Sequence, residues 1–434
     1  MTTTARHHQV SGRTAALLPP CFFAAAALFF AAALTASPFV AGRLLVHFYD
    51  PAILALTHML TLGWISMTMM GVLYRYVPAL VKRPLPFPRL AWVQWSAFAA
   101  GVVGMAASFA VGAWNTTAAF AALVLVSAAL LCATLWPLLR AAPNRGVAEI
   151  GIAAGSGFFV VAALLGTLLA ANKTAGFLSG GTFTNLGAHV ALAALGWVAT
   201  IACALSFRFL PAFLLPELDR VEAARKQVVA LAALVVVLAV ALLAGSDVAW
   251  PAAFGVAAVL AVHVWLLLRV VASHRLPLDW TAWHAIVAAC WCLAAVAGGI
   301  AVAVEGVQSA VGARFAAVYG VAGLVGWLSN LIIGVSYKLF PAFVTSARSE
   351  RARPGVPLAA LGVPERIKPA VFALFNAGVA IAVAGLLLDE ERMTAAGAAI
   401  AAAGGVSYAA ATLRTLAFVL VDPRGEPDPL AIVP

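Results

Sequence analysis

Gly63-Trp64-ISMTMMGVL-Tyr74-Arg75-YV-Pro78-Ala79-Leu80 decides how the chain is read, because the same stretch occurs three times. The second copy is Gly196-Trp197-VATIACALS-Phe207-Arg208-FL-Pro211-Ala212-Phe213. The third is Gly326-Trp327-LSNLIIGVS-Tyr337-Lys338-LF-Pro341-Ala342-Phe343. The shared pattern is G-W-x9-[FY]-[KR]-x2-P-A-[FL]. Trp64 and Trp197 are 133 residues apart, and Trp197 and Trp327 are 130 apart. A period of that length holds several helices, so the chain reads as a triplication.

Composition supplies the class. Of 434 residues, 64% are hydrophobic and 10% charged, more apolar surface than a soluble domain can bury. Apolar runs long enough to span a bilayer fall at 15–36, 50–78, 89–112, 115–139, 149–171, 183–211, 226–245, 249–270, 279–303, 313–341, 367–388 and 393–421. The motif copies lie in the second, sixth and tenth runs. The expected fold is an all-α integral membrane protein of twelve transmembrane helices in three pseudo-threefold repeats of four. The repeats are 15–140, 149–272 and 279–421, with a cytoplasmic tail at 422–434 that is expected to be poorly ordered.

Charge placement tests the helix count. With the N-terminus inside and the helices alternating, 22 of the 26 Lys and Arg fall on the inner side and Arg43, Lys173, Arg314 and Arg392 on the outer. That bias follows the positive-inside rule and would be scrambled by a missed helix. Both termini are then cytoplasmic, and the expected location is the bacterial inner membrane. The net charge of +10 is accounted for by the inner loops, so the partner implied is the lipid bilayer and not nucleic acid. Protein partners and oligomeric state leave no mark in the sequence. The five Cys lie in apolar stretches and imply no disulfide framework. The first apolar run has no clear cleavage site after its basic lead and reads as a retained span.

The motif has a physical reading of its own. Its aromatic and basic columns suit the inner interface, where the cation also complements the helix C-terminus and Pro is expected to mark the stop. Gly-Trp sits about 21 Å further up each helix. Gly there permits close helix approach and Trp fills the adjacent space, a packing joint; lining a cofactor pocket is the other reading.

Intramembrane ionisable groups are the default functional candidates. All 16 Asp and Glu lie in loops or at helix ends, Glu149, Asp279 and Glu305 included, which weakens proton-pump and proton-coupled carrier readings. Histidine remains. His58 precedes Trp64 by six residues and His189 precedes Trp197 by eight, so both lie near the outer ends of their helices. A two-residue offset is about 200° on an α-helix, so the two are expected to face different neighbours relative to the repeat. Neutral imidazole suits haem iron or copper; an interfacial histidine bonding a carbonyl is the structural reading. His47 could extend a metal site with His58. His263 and His284 stand alone among apolar residues and read as satisfied buried histidines. Met59, Met67, Met69 and Met70 offer thioethers that suit Cu(I), but read as packing. No residue is assigned a catalytic role.

Three sets of four helices with histidine on the second and sixth, and the run THMLTLGWISMTMMGVLYRYVP at 57–78, resemble subunit I of the haem–copper oxidases and its NnrS-type relatives. The resemblance implies that His58 occupies the place of a helix-two haem ligand and His189 that of a helix-six copper ligand. On helix ten the histidines of that family are missing, and only Tyr319 stands near the right depth. Helix seven, 226–245, has no histidine either. The resemblance therefore implies a partial haem or copper site. Its expected role is electron transfer or nitric-oxide-related metabolism, not proton-pumping oxygen reduction. A cofactor-free carrier or sensor on the same scaffold is the alternative.

Overall fold

The computed structural model describes residues 16–143, 145–215, 221–350 and 361–421; the side chain of residue 350 is not described. Twelve helices are long and apolar enough to cross a membrane. They are α1 (Leu18–Val46), α2 (Pro51–Val81), α3 (Pro88–Ala110), α4 (Trp114–Arg140), α5 (Val147–Ala175) and α6 (Thr182–Leu214). They continue with α7 (Val221–Leu243), α8 (Ala249–Ala272), α9 (Trp280–Glu305), α10 (Ala310–Ser349), α11 (Glu365–Leu388) and α12 (Glu391–Leu420). The protein is an all-α chain built as a multi-pass membrane protein. Parts of the expected inner segments, Arg220, Arg351, Arg353 and the 422–434 tail among them, lie outside the described residues.

The motif helices are the three most buried of the twelve over their apolar windows. Around α2, the main contacts are with α1, α3 and α4; around α6 with α5, α7 and α8; around α10 with α9, α11 and α12. The peripheral helices pair as α3 with α4, α7 with α8 and α11 with α12. Each set of four joins the next through α4–α5, α8–α9 and α12–α1.

Each central helix contains a π-helical segment over its Gly-Trp step: Met59–Ser66, Ala191–Ala199 and Val321–Ser329. There the hydrogen bonds reach back five residues: the N–H of Met67 donates to the Leu62 carbonyl and that of Thr200 to the Leu195 carbonyl. A hydroxyl straps each wide turn across the same interval. Ser66 donates to Thr61 O (2.8 Å), Thr200 to Leu195 O (2.9 Å) and Ser329 to Leu324 O (2.8 Å). Such turns concentrate at functional sites.

Gly-Trp is the packing joint expected of it. A Cβ on Gly63, Gly196 or Gly326 would strike Phe29, Phe158 or Trp291, an aromatic on the preceding helix in each set. Proline does not stop these helices. Pro78, Pro211 and Pro341 lie inside helices that run on to Val81, Leu214 and Ser349. The proline lacks the N–H that would bond the carbonyl four residues back, which loosens the turn without ending it. The motif cations bridge central helices instead: Arg75 of α2 bonds Ser346 of α10, and Lys338 of α10 lies 5.0 Å from the Phe213 ring of α6.

Candidate functional site: a central cavity

A cavity of about 960 Å³ opens between the central helices, on the side of the bundle that carries the 47–50, 176–181 and 306–309 loops. All three π-helical segments contribute to its wall. Its lining is overwhelmingly apolar, and Glu305 is the only charged side chain among the described residues that line it. His58, His189 and Tyr319 all line this one cavity.

His58 is positioned by a well-made helix start. Asp50 caps α2 by accepting from Ala52 N at 2.8 Å, and Pro51 occupies the first turn. The His58 Nδ1 lies 2.7 Å from Leu54 O, and its ring stacks on Phe109 at 4.8 Å. A carbonyl only accepts, so Nδ1 carries the proton and Nε2 keeps its lone pair. His189 repeats the arrangement across helices, with Nδ1 3.0 Å from Ala162 O of α5. Gly166 makes room for it, since a Cβ there would lie 2.7 Å from His189 Cε1. Neither Nε2 has a hydrogen-bond partner among the described residues. Anchoring one ring nitrogen on a carbonyl while the other stays open is how ligating histidines are held.

Both imidazoles line the cavity, but their neighbours differ, as the two-residue offset predicts: His58 bonds within α2 and stacks on Phe109 of α3, whereas His189 bonds Ala162 of α5. Tyr319 packs over Gly298 and Gly299, with its ring 3.4 Å from where a Gly299 Cβ would stand. Its hydroxyl makes no hydrogen bond to another described residue.

The remaining candidates separate cleanly. His47 does not line the cavity; its Nδ1 accepts from Tyr49 N at 2.9 Å and its ring stacks on Phe48. His284 is satisfied, with Nδ1 2.7 Å from Asn330 Oδ1 and Nε2 3.4 Å from the Tyr337 hydroxyl. Met59, Met67, Met69 and Met70 stay out of the lining. His263 corrects the sequence reading. It is 1% exposed, lies edge-on to Phe207, and neither ring nitrogen has a hydrogen-bond partner among the described residues. An unsatisfied buried polar group costs about 1–3 kcal/mol. His263→Leu is therefore expected to raise the thermal unfolding midpoint of the detergent-solubilised protein; a lowered midpoint would contradict the unpartnered ring.

Beneath the histidines, the motif tryptophans form an interlocked layer that sequence reasoning missed. Trp64 Nε1 donates to Ser329 Oγ at 3.0 Å, and Trp197 Nε1 donates to Ser66 Oγ at 2.8 Å. The acceptors are the same serines that strap the π turns of α10 and α2. Each serine stands two residues after its own Trp, so G-W-x-S in the first and third copies was the available signal. The corresponding residue of the second copy, which would face Trp327, is Ala199 and carries no hydroxyl. Trp64 stacks on Phe30 (4.3 Å) and Trp197 on Phe159 (4.6 Å). At the corresponding place on α9 stands Cys292, which lines the cavity together with Trp327.

No protein-family model matches the chain, and no curated protein matches it. Among the described residues, no three His, Cys, Asp or Glu side chains come together as a metal-binding group.

Proposed function

We propose that the protein is a haem-binding membrane protein of haem–copper oxidase subunit I-like architecture, holding the haem in the central cavity through His58, with His189 as the second imidazole. The observation that carries this reading is the pair of imidazoles anchored at Nδ1 and open at Nε2 on one apolar cavity. Two imidazoles suit haem better than a bare copper ion. A haem brings four nitrogen ligands of its own, whereas copper would find no third His, Cys, Asp or Glu beside them among the described residues. The recurrence of helix neighbours from set to set supports three repeats of four about a pseudo-threefold axis.

When bound, a haem supplies one-electron exchange and an iron that takes small diatomic ligands such as nitric oxide. The chain's own residues fix the histidine tautomers through Leu54 and Ala162, and keep water out with apolar walls. Tyr319 is the phenol of helix ten that lines this cavity among the described residues. Proton-pumping oxygen reduction is not part of the proposal, because α7 has no histidine and no carboxylate lies mid-span. The excess of Lys and Arg at the opposite end supports an inner-membrane protein with that end in the cytoplasm.

The test is the reduced-minus-oxidised visible spectrum of protein purified from haem-replete cells, with metal analysis. A haem band in the wild type that His58→Ala abolishes, with the fold intact, is the expected result. A wild type carrying neither haem nor copper would instead make the scaffold a cofactor-free carrier or sensor.

A further inference from the structure

The three seams between helix sets are not alike. Two are closed. At α4–α5 and α12–α1 the helices pack extensively, and the cavity-facing residues Thr117, Ala121, Thr394 and Ala401 are buried. At α8–α9 the packing is markedly less extensive. There Trp250 and Phe254 line the cavity and are 44% and 45% exposed. Two bulky apolar side chains this open, on the least packed seam, mark where the wall is least closed.

Two differences at the centre fall on the same side. The π-helical segment of α2 touches those of α6 and α10, and the contact between those two is slighter still. That is the place where Ala199 stands instead of a serine and Cys292 instead of a phenylalanine. Both are smaller than their counterparts, and both loosen the junction of the second and third sets.

We infer that the α8–α9 seam is a lateral portal through which neutral, apolar small molecules dissolved in the bilayer reach the central cavity. The portal lies on the apolar flank of the helices, where the surrounding medium is hydrocarbon. Its rim carries Trp250, Phe254 and Ala257 on α8 and Val296, Ile300 and Ala303 on α9, with no ionisable group among them. An ion or a strongly hydrated molecule would have to shed its water to pass such a rim, whereas an apolar molecule is already desolvated in the membrane. The inference concerns access to the cavity and holds whether or not a haem is bound.

Adamantyl diazirine, a neutral apolar photolabel that partitions into bilayers, tests it with the full chain in liposomes. Labelled positions are read by mass spectrometry. In the wild type, label is expected at Ala194 and Leu324 inside the cavity, as well as at the exposed Val236 and Val240 of α7. Ala257→Phe on one rim and Ala303→Phe on the other narrow the gap independently, so one misfolded variant does not end the test. Each is expected to reduce cavity labelling at least fivefold while α7 labelling stays unchanged. Gln308→Phe, which obstructs the loop end of the cavity, is expected to leave both unchanged. No cavity labelling in the wild type, or cavity labelling that a folded rim variant leaves intact, overturns the portal. So does cavity labelling lost in Gln308→Phe. The haem spectrum is measured on the same samples, so failure here is separable from failure of the haem reading.

Discussion

Gly397→Val is expected to yield no monodisperse folded protein. Gly378 and Gly397 face each other where α11 and α12 cross. A Cβ at Gly378 would stand 2.2 Å from Ala401 N, and one at Gly397 would stand 2.2 Å from Ala382 N. The obstacle is backbone in both cases, so no rotamer change relieves it and the helices must separate. α12 also packs along α1, so the displacement spreads through the seam that joins the third set to the first. Gly320→Ala is the control, because nothing lies within 4 Å of its added carbon and alanine favours the helix. Size-exclusion profiles of the two variants settle the matter; a well-folded Gly397→Val would show that the close crossing is not needed.

Trp64→Ala carries the second large effect, expected at about 3–5 kcal/mol for removing a large buried aromatic. Trp64 is fully buried, stacks on Phe30 and donates to Ser329, so its loss empties a packed site and removes the bond that ties α2 to α10 there. Trp197→Ala is expected to match it, since Phe159 and Ser66 hold it in the same way. Trp327→Ala should cost less, because Ala199 and Cys292 offer it neither an acceptor hydroxyl nor a ring. Thermal unfolding in one detergent gives the order. If Trp327→Ala proves the most damaging, the indole–serine layer is not what holds the central helices together.

Much of the architecture was legible because bilayer thickness constrains it so tightly. Span length, loop brevity and the Lys/Arg bias are each read directly from residues, and the twelve spans fall where they predicted. The site was less legible. The depth of His58 and His189 and their unlike neighbours were legible, but not which carbonyl holds each Nδ1, since Leu54 is on the same helix and Ala162 on another. Nothing in residue hydrophobicity announces a π turn. The strapping hydroxyls of Ser66, Thr200 and Ser329 do so only once their i–5 acceptors are known. His263 was misread for a related reason: a lone polar residue in an apolar run shows neither its partner nor the lack of one. In sequence, a proline that loosens a turn is indistinguishable from one that ends a helix, so the three prolines read as stops.

The unequal seams have a consequence for direction. A bundle with three equal junctions would present three interchangeable doors, and a visitor would arrive at the centre from any bearing. With two junctions latched by indole–serine bonds and the third unlatched, arrivals come from one bearing only, past Trp327 and Cys292. His58 and His189 meet those arrivals from non-equivalent positions of their helices, one held by Leu54 of the same helix and the other by Ala162 of a neighbouring one, so the two can take separate tasks on one cavity.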